Sequence, residues 1–257
     1  MPLTNSQLDE LLVIATEAAI AAGEVINSYL GTDIDSRLKD GGTSIASRIV
    51  TEVDAAAERM ILGKIDPTLN SYQLGLLTEE TTDDQSRFEQ DFFWCIDPLD
   101  GTLPFTQNRD GYSTSIALVS RDGQAQLGVV YDPRNQNLYS AMKGRGAFKN
   151  GNALHINCAE TVTIIDGPGG AVMQAIATIE QAPCVFYKRP KEEEGSGCLW
   201  DYAATSIIQS EAGGFNGYFN FEPIDLNSSE SMFMNKRGIC YYTGLSQENV
   251  IRLIHDR

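Results

Sequence analysis

The chain has 257 residues, 42% of them hydrophobic, and its 35 acidic against 19 basic side chains leave a net charge of -16. That length and apolar share allow one large core or two smaller subdomains, and exclude a fibrous or disordered chain. The negative balance repels nucleic-acid backbones and anionic membrane surfaces, so neither a nucleic-acid polymer nor a membrane is expected as a partner, whereas abundant carboxylates suit hard divalent cations. Cys95, Cys158, Cys184, Cys198 and Cys240 lie beside apolar runs without CxxC spacing and read as reduced, buried thiols. Asp9, Glu10 and Glu17 stand where a leader would be basic. No apolar run approaches the about 18 residues of a membrane span, so a soluble cytoplasmic protein is expected.

Residues 6–30 place Leu8, Leu11, Leu12, Ala15, Ala18, Ala19, Ala22, Val25, Ile26 and Tyr29 at helical spacing, with Asn5 or Ser6 as cap. A polar loop at 39–44 is followed by a second predicted helix over 49–65, opened by Thr51, Glu52, Val53 and Asp54. Short apolar runs at 73–77 and 92–96 read as strands, each delivering acids at its end: Glu79 and Glu80 after the first, Asp97 after the second. Strands over 113–119, 126–131 and 137–142, joined by turns at Asp122-Gly123 and 132–135, make an antiparallel meander. The segment 144–151 reads as a boundary between residues 1–150 and a second, α/β unit over 151–257. There a strand at 162–165, a glycine loop at 166–170, a helix from Ala171, a strand at 184–187, a helix over 201–211, a strand at 238–243 and a helix over 247–254 are predicted.

The segment 94–102, WCIDPLDGT, concentrates the chemistry. A buried strand ends in Asp97 and Asp100, Pro98 fixes the turn between them, and Gly101 permits close backbone approach to a ligand. The two carboxylates could bridge metal ions, and the amides of Gly101 and Thr102 would face an oxyanion at the start of a following helix. The same residues could also form a plain strand-to-helix turn with an aspartate cap. Asp201, opening a later helix, could likewise cap its own backbone or face the same metals. His155 and His255, the only histidines, lie beside no phosphate loop or acid cluster, so a phosphohistidine route has no support; no GxxxxGK[ST] loop occurs either.

These segments, together with LLTEE at 76–80, IVTEVDAAAE at 49–58 and LWDYAATSIIQSEAGG at 199–214, occur in an order that resembles the inositol monophosphatase family over nearly the whole chain. That family comprises lithium-sensitive magnesium phosphatases, including 3'-phosphoadenosine 5'-phosphate phosphatases and some fructose 1,6-bisphosphatases. The resemblance implies a mixed α+β and α/β fold, a layered αβαβα sandwich. The N-terminal half would carry most metal ligands and the C-terminal half Asp201 and the substrate-selecting loops. It implies two or three Mg2+ ions, with Glu79, Asp97 and the Leu99 carbonyl holding the first, Asp97, Asp100 and Asp201 the second, and Glu79 a weaker third. Thr102 and Glu79 would activate the attacking water, and Asp54 would bond Thr102 or that water. Such a metal lowers the pKa of bound water and neutralises phosphoryl charge, so no protein nucleophile is required.

The substrate-selecting side departs from the family pattern. Gly169 and Gly170, in the 166–170 loop, could approach the substrate or form a plain turn, and the charged stretch 188–197 could be a solvated loop or could bring Lys188 and Lys191 to a second anionic group. Leu103, Pro104 and Phe105 follow the metal motif and match neither the inositol nor the nucleotide branch. The partner implied is a small phosphorylated metabolite, an inositol or sugar phosphate in the first instance, with adenosine bisphosphate as the alternative. A homodimer is compatible with the family. A relative without catalysis, binding a phosphometabolite as a regulator, is the rival from another class.

Overall fold

A computed structural model describes residues 3–30, 36–38, 49–165 and 169–255. The predicted loop at 39–44 and residues 166–168 lie outside the described residues. In chain order the elements are α1 (Asn5–Ser28), β1 (Ser36–Leu38), β2 (Ile49–Thr51), α2 (Glu52–Tyr72), β3 (Gly75–Thr78), α3 (Ser86–Glu89), β4 (Phe92–Asp100), α4 (Thr102–Thr106), β5 (Ser113–Ser120), β6 (Ala125–Asp132), β7 (Asn137–Met142), β8 (Ala147–Lys149) and β9 (Asn152–Ala153). There follow β10 (Thr163–Ile165), α5 (Ala171–Glu180), β11 (Cys184–Lys188), α6 (Leu199–Glu211), β12 (Phe215–Gly217), β13 (Ile239–Thr243) and α7 (Gln247–His255).

Strands β3 to β9 form a seven-stranded sheet in sequence order, antiparallel except for the β3–β4 pair. A four-stranded sheet has the order β10-β11-β13-β12. Because side chains alternate across a strand, Trp94, Ile96, Ile116 and Leu118 pack beneath α1 and α2, while Phe93, Cys95, Ala117 and Val119 face α5 and α6. Those two helices also meet Phe186 and Tyr241 of the second sheet, whose far face takes Val250 and Ile254 of α7. The result is the expected αβαβα sandwich.

Several local expectations are corrected. The cap of α1 is Thr4, one residue before the predicted candidates, because Gln7 completes a reciprocal box: the Gln7 N–H donates to Thr4 Oγ1 at 3.3 Å and the Thr4 N–H to Gln7 Oε1 at 2.8 Å. Residues 49–51 are a strand paired antiparallel with β1. The second helix therefore starts at Glu52, and it runs past Pro67 to Tyr72 because Ile61, Ile65 and Thr68 prolong its buried stripe. Cys158 is exposed, unlike the other four free cysteines, since it sits in irregular chain between β9 and β10. Contrary to the sequence expectation, α1 at 24 residues is long and apolar enough to cross a membrane. Its apolar positions Leu11, Ala15, Ala18, Ala19, Ala22 and Ile26 are buried within the fold, as in a core helix.

Candidate active site

Two residues three apart on a regular strand point to opposite faces, yet Asp97 and Asp100 of β4 share one. Asp97 lies opposite Ser115 and Asp100 opposite Ser113, so three steps on β4 match two on β5. This register shift is a bulge, and it turns both carboxylates onto the α6 side of the sheet. Pro98 fits inside the bulge because no ladder N–H is needed there, and its carbonyl accepts the Thr114 hydroxyl at 2.9 Å. The Leu99 N–H donates to Asp97 Oδ1 at 3.0 Å.

Asp201 comes from the opposite direction, on the first turn of α6. The sequence left capping and metal binding as alternatives; one of its oxygens, Oδ2, accepts the Cys198 N–H at 2.6 Å, while the residue also joins the acid cluster. The Ser115 hydroxyl, donating to the Trp200 carbonyl at 3.3 Å, ties the sheet to that turn. One oxygen from each of Asp97, Asp100 and Asp201 lies within 4.8 Å of the others, and the three residues are only 1%, 8% and 9% exposed.

Such crowding is costly without positive charge. Burial first, then the charges of Glu79, Asp201 and Asp100, hold the Asp97 carboxyl well above the usual carboxylate range. Burial and Asp201 push Asp100 up to about 8, against the opposing pull of the Val172 amide, Lys188 and the Ala171 amide. A cluster of hard, buried oxygens that resist ionisation beside one another fits a divalent cation of the magnesium type, which would relieve both penalties.

The remaining predicted residues surround this cluster. Glu79 follows β3 directly, its N–H donating to the Ile96 carbonyl at 3.2 Å, and its charge acts on Asp97 although it is not one of the three mutually close acids. Asp54, on the first turn of α2 and 1% exposed, accepts the Thr102 hydroxyl at 3.4 Å; the Leu99 carbonyl lies 3.3 Å from the same hydroxyl. Gly101, at φ 84°, precedes the five-residue helix α4, and a side chain there would meet the Gly111 carbonyl at 2.4 Å. Asp100 caps α5 from outside its own helix: Oδ1 accepts the Ala171 N–H at 3.0 Å and Oδ2 the Val172 N–H at 2.8 Å. That approach requires Gly170, where a Cβ would lie 2.2 Å from Asp100 Oδ2, whereas at Gly169 it would meet only the Gln174 amide, at 3.3 Å.

Lys188 ends β11 with its ammonium facing the cluster. Burial lowers its pKa, Asp201 and Asp100 oppose that, and Lys191 reinforces it. The charged stretch after it is ordered. The Lys191 N–H donates to the Asn235 carbonyl at 2.8 Å, and the Asn235 amide returns bonds to the carbonyls of Lys191 and Glu192 at 3.1 and 3.2 Å. Farther along, Tyr202 Oη donates to the Ser196 carbonyl at 2.7 Å. Sequence reasoning assigned no role to Asn235, Ser115 or Glu58, and neither Asn235 nor Ser115 belongs to a local pattern that announces one. Glu58 alone carried a signal, standing four residues after Asp54 on the same helix face.

Comparison with known proteins identifies the family. The profile described as "Inositol monophosphatase family" matches residues 7–167. The chain is 28% identical to the 3'(2'),5'-bisphosphate nucleotidase CysQ of Aggregatibacter actinomycetemcomitans, over 96% of this chain and 95% of that protein. It is 31% identical to Nus factor SuhB of Escherichia coli (strain K12), over 82% and 87%. Among solved structures, the Thermotoga maritima IMPase superposes with a TM-score of 0.77 at 24% identity, covering 96% of this chain and 97% of that one. A profile match over more than half of the chain, with buried acids gathered as a phosphatase requires, places the protein as a phosphoric monoester hydrolase belonging to the inositol monophosphatase family.

Proposed function

We propose that the chain hydrolyses a small phosphate monoester with magnesium and an activated water, and that an inositol monophosphate or related sugar phosphate is its substrate class. The observation that carries the reading is the buried meeting of Asp97, Asp100 and Asp201. These acids, with Glu79 and the Leu99 carbonyl, would hold the magnesium. Once bound, magnesium supplies a lowered pKa for water and neutralises charge gathering on the phosphoryl oxygens. The chain's own groups do the rest. Thr102, its hydroxyl set between Asp54 and the Leu99 carbonyl, and Glu79 orient the attacking water, and the Glu79 carboxylate takes its proton. The amides of Gly101 and Thr102 face the phosphoryl oxygens. In this reading residues 1–150 supply the chemistry, and residues 151–257 supply Asp201 and the contacts, among them Gly169, Gly170 and Lys188, that select the substrate.

One observation favours a second substrate class. Lys188 feels the charges of Asp201 and Asp100 and has a second cation, Lys191, near enough to lower its own pKa, as a substrate with a second phosphate would require, and a relative bears the name bisphosphate nucleotidase. Phosphate release should be measured from inositol monophosphates, fructose 1,6-bisphosphate and 3'-phosphoadenosine 5'-phosphate, with magnesium or chelator, in wild type and Asp97→Asn. Release that needs magnesium and disappears in the variant is expected, and the best substrate names the branch. No release from any compound, from a chain that still binds phosphorylated ligands, would favour the regulatory reading.

A further inference from the structure

Glu79 is the one proposed metal ligand outside regular structure: it sits on the bend that follows β3. Asp97 and Asp100 are fixed by a bulged central strand, and Asp201 by a helix turn. Glu79 has the Glu79 N–H bond to Ile96 on its backbone, and something else must set the path of the bend around it.

The geometry points to Glu58 as that device. We infer that Glu58 is a positioning residue which holds the 78–81 bend so that Glu79 presents its carboxylate to a cation. Glu58 is 5% exposed, deep under the sheet edge. Its Oε2 accepts the Thr78 hydroxyl at 2.7 Å and the Glu80 N–H at 3.0 Å, and its Oε1 accepts the Thr81 hydroxyl. The three donors come from the residue before Glu79 and the two after it. A bend gripped on both sides by one carboxylate cannot swing without breaking buried hydrogen bonds, and a donor orphaned there costs its full desolvation.

The placement on α2 is equally specific. Asp54 and Glu58 are one helical turn apart on a single buried face. The first holds Thr102, beyond Asp100 on β4, and the second holds the bend that carries Glu79. One rigid helix thereby sets both segments that flank Asp97. Glu58 itself needs no contact with substrate or cation to act, since its influence passes through the backbone of residues 78–81. Partners of metal ligands that stand one layer back commonly change metal affinity by about 10- to 100-fold when removed.

This inference rests on the proposed role of Glu79 as a ligand, and a calorimetric titration of Mg2+ without substrate separates the two. The proteins are wild type, Glu58→Met, Glu58→Gln, Glu79→Gln and the Glu58→Met/Glu79→Gln double variant. Glu58→Met should weaken Mg2+ binding by about tenfold, and Glu58→Gln, which keeps one acceptor, should recover part of that loss. In the Glu79→Gln background, Glu58→Met should add almost nothing, because the ligand it positions is gone. If Glu58→Met melts earlier yet binds Mg2+ within about twofold of wild type, or if the two losses simply multiply, the residue is structural only and the inference falls. Should Glu79→Gln bind as wild type does, Glu79 is no ligand and both readings fall.

Discussion

The end of β4 and the start of α6 bring carboxylates to the same point by different means. At β4 the position of Asp97 and Asp100 follows from neighbours in the same short segment: a buried strand, a bulge at Pro98 and a glycine that ends it. At α6 the position of Asp201 depends on chain far away, because the stretch before the helix is pinned by Asn235 and by the Tyr202 hydroxyl, and β5 reaches the helix through Ser115. The first arrangement is local and rigid, so a substitution there should strike the chemistry. The second is assembled, and damage to it should strike geometry and selection more than the chemical step.

The largest effect is expected at the rigid end. Asp97→Asn keeps the shape and removes a charge from the centre of the cluster, so turnover should fall by about 1,000-fold or more, the several kcal/mol that charge stabilisation at such a site supplies. Steady-state phosphate release at saturating magnesium tests this, and a loss under tenfold would mean that Asp97 is not central. Gly170→Ala probes how the end of β4 seats on the start of α5. Its methyl group would lie 2.2 Å from Asp100 Oδ2, so Asp100 must leave the amides of Ala171 and Val172 or the loop must move. We expect about a 100-fold loss of kcat/KM, since a displacement near 1 Å at a reacting site has that scale, together with about 1–3 kcal/mol of lost stability from overpacking. An Ala variant with normal activity would show that Asp100 does not need its place at the start of α5.

The contrast also explains what could be read from the sequence. WCIDPLDGT was legible because strand, glycine and acids fall within nine residues, although the turn read at Pro98 is a bulge inside a strand that runs on to Asp100. The meander was legible because its turns carry Asp-Gly and Asp-Pro signals between short, strand-like apolar runs. Residues 49–51 were misread as helix because their pairing partner, β1, lies upstream outside the local window, and β-branched residues before a helix look like its first turn. The charged stretch after Lys188 was left open between solvated loop and anion contact, since the asparagine that orders it is 44 positions away in the chain. Asn235 has no signature as an isolated residue; only its 2% exposure and its two donated bonds reveal its work.

That asparagine gives the next test. Asn235→Ala removes two bonds to the carbonyls of Lys191 and Glu192, and should release the stretch that carries Lys191. We expect about 1–3 kcal/mol of destabilisation and a rise in KM of about tenfold for a substrate with two phosphates, with kcat for a monophosphate largely retained. Equal losses for both substrates would mean that the stretch supports the cluster as a whole and does not select a second anion.

The smallest effect concerns the cluster's own electrostatics. Asp100 is pushed up to about 8, and Asp97 also lies well above its ordinary value. In chelator, the folded chain therefore binds these protons more tightly than the unfolded chain, in which an aspartate titrates near about 3.9. The sign follows directly: their contribution to stability is complete below about pH 4 and is lost as pH rises, for Asp100 through about 8. The melting midpoint in chelator should fall by a few degrees across that range, and magnesium should flatten the fall because it binds the ionised, folded cluster. Asp100→Asn should remove part of the slope in chelator, since the amide has no proton to lose while it keeps the shape beside Ala171 and Val172. A midpoint in chelator that is level from pH 5 to 8, and unchanged by Asp100→Asn, would show that Lys188 and the helix amides already balance the acids, leaving a cation little electrostatic strain to relieve.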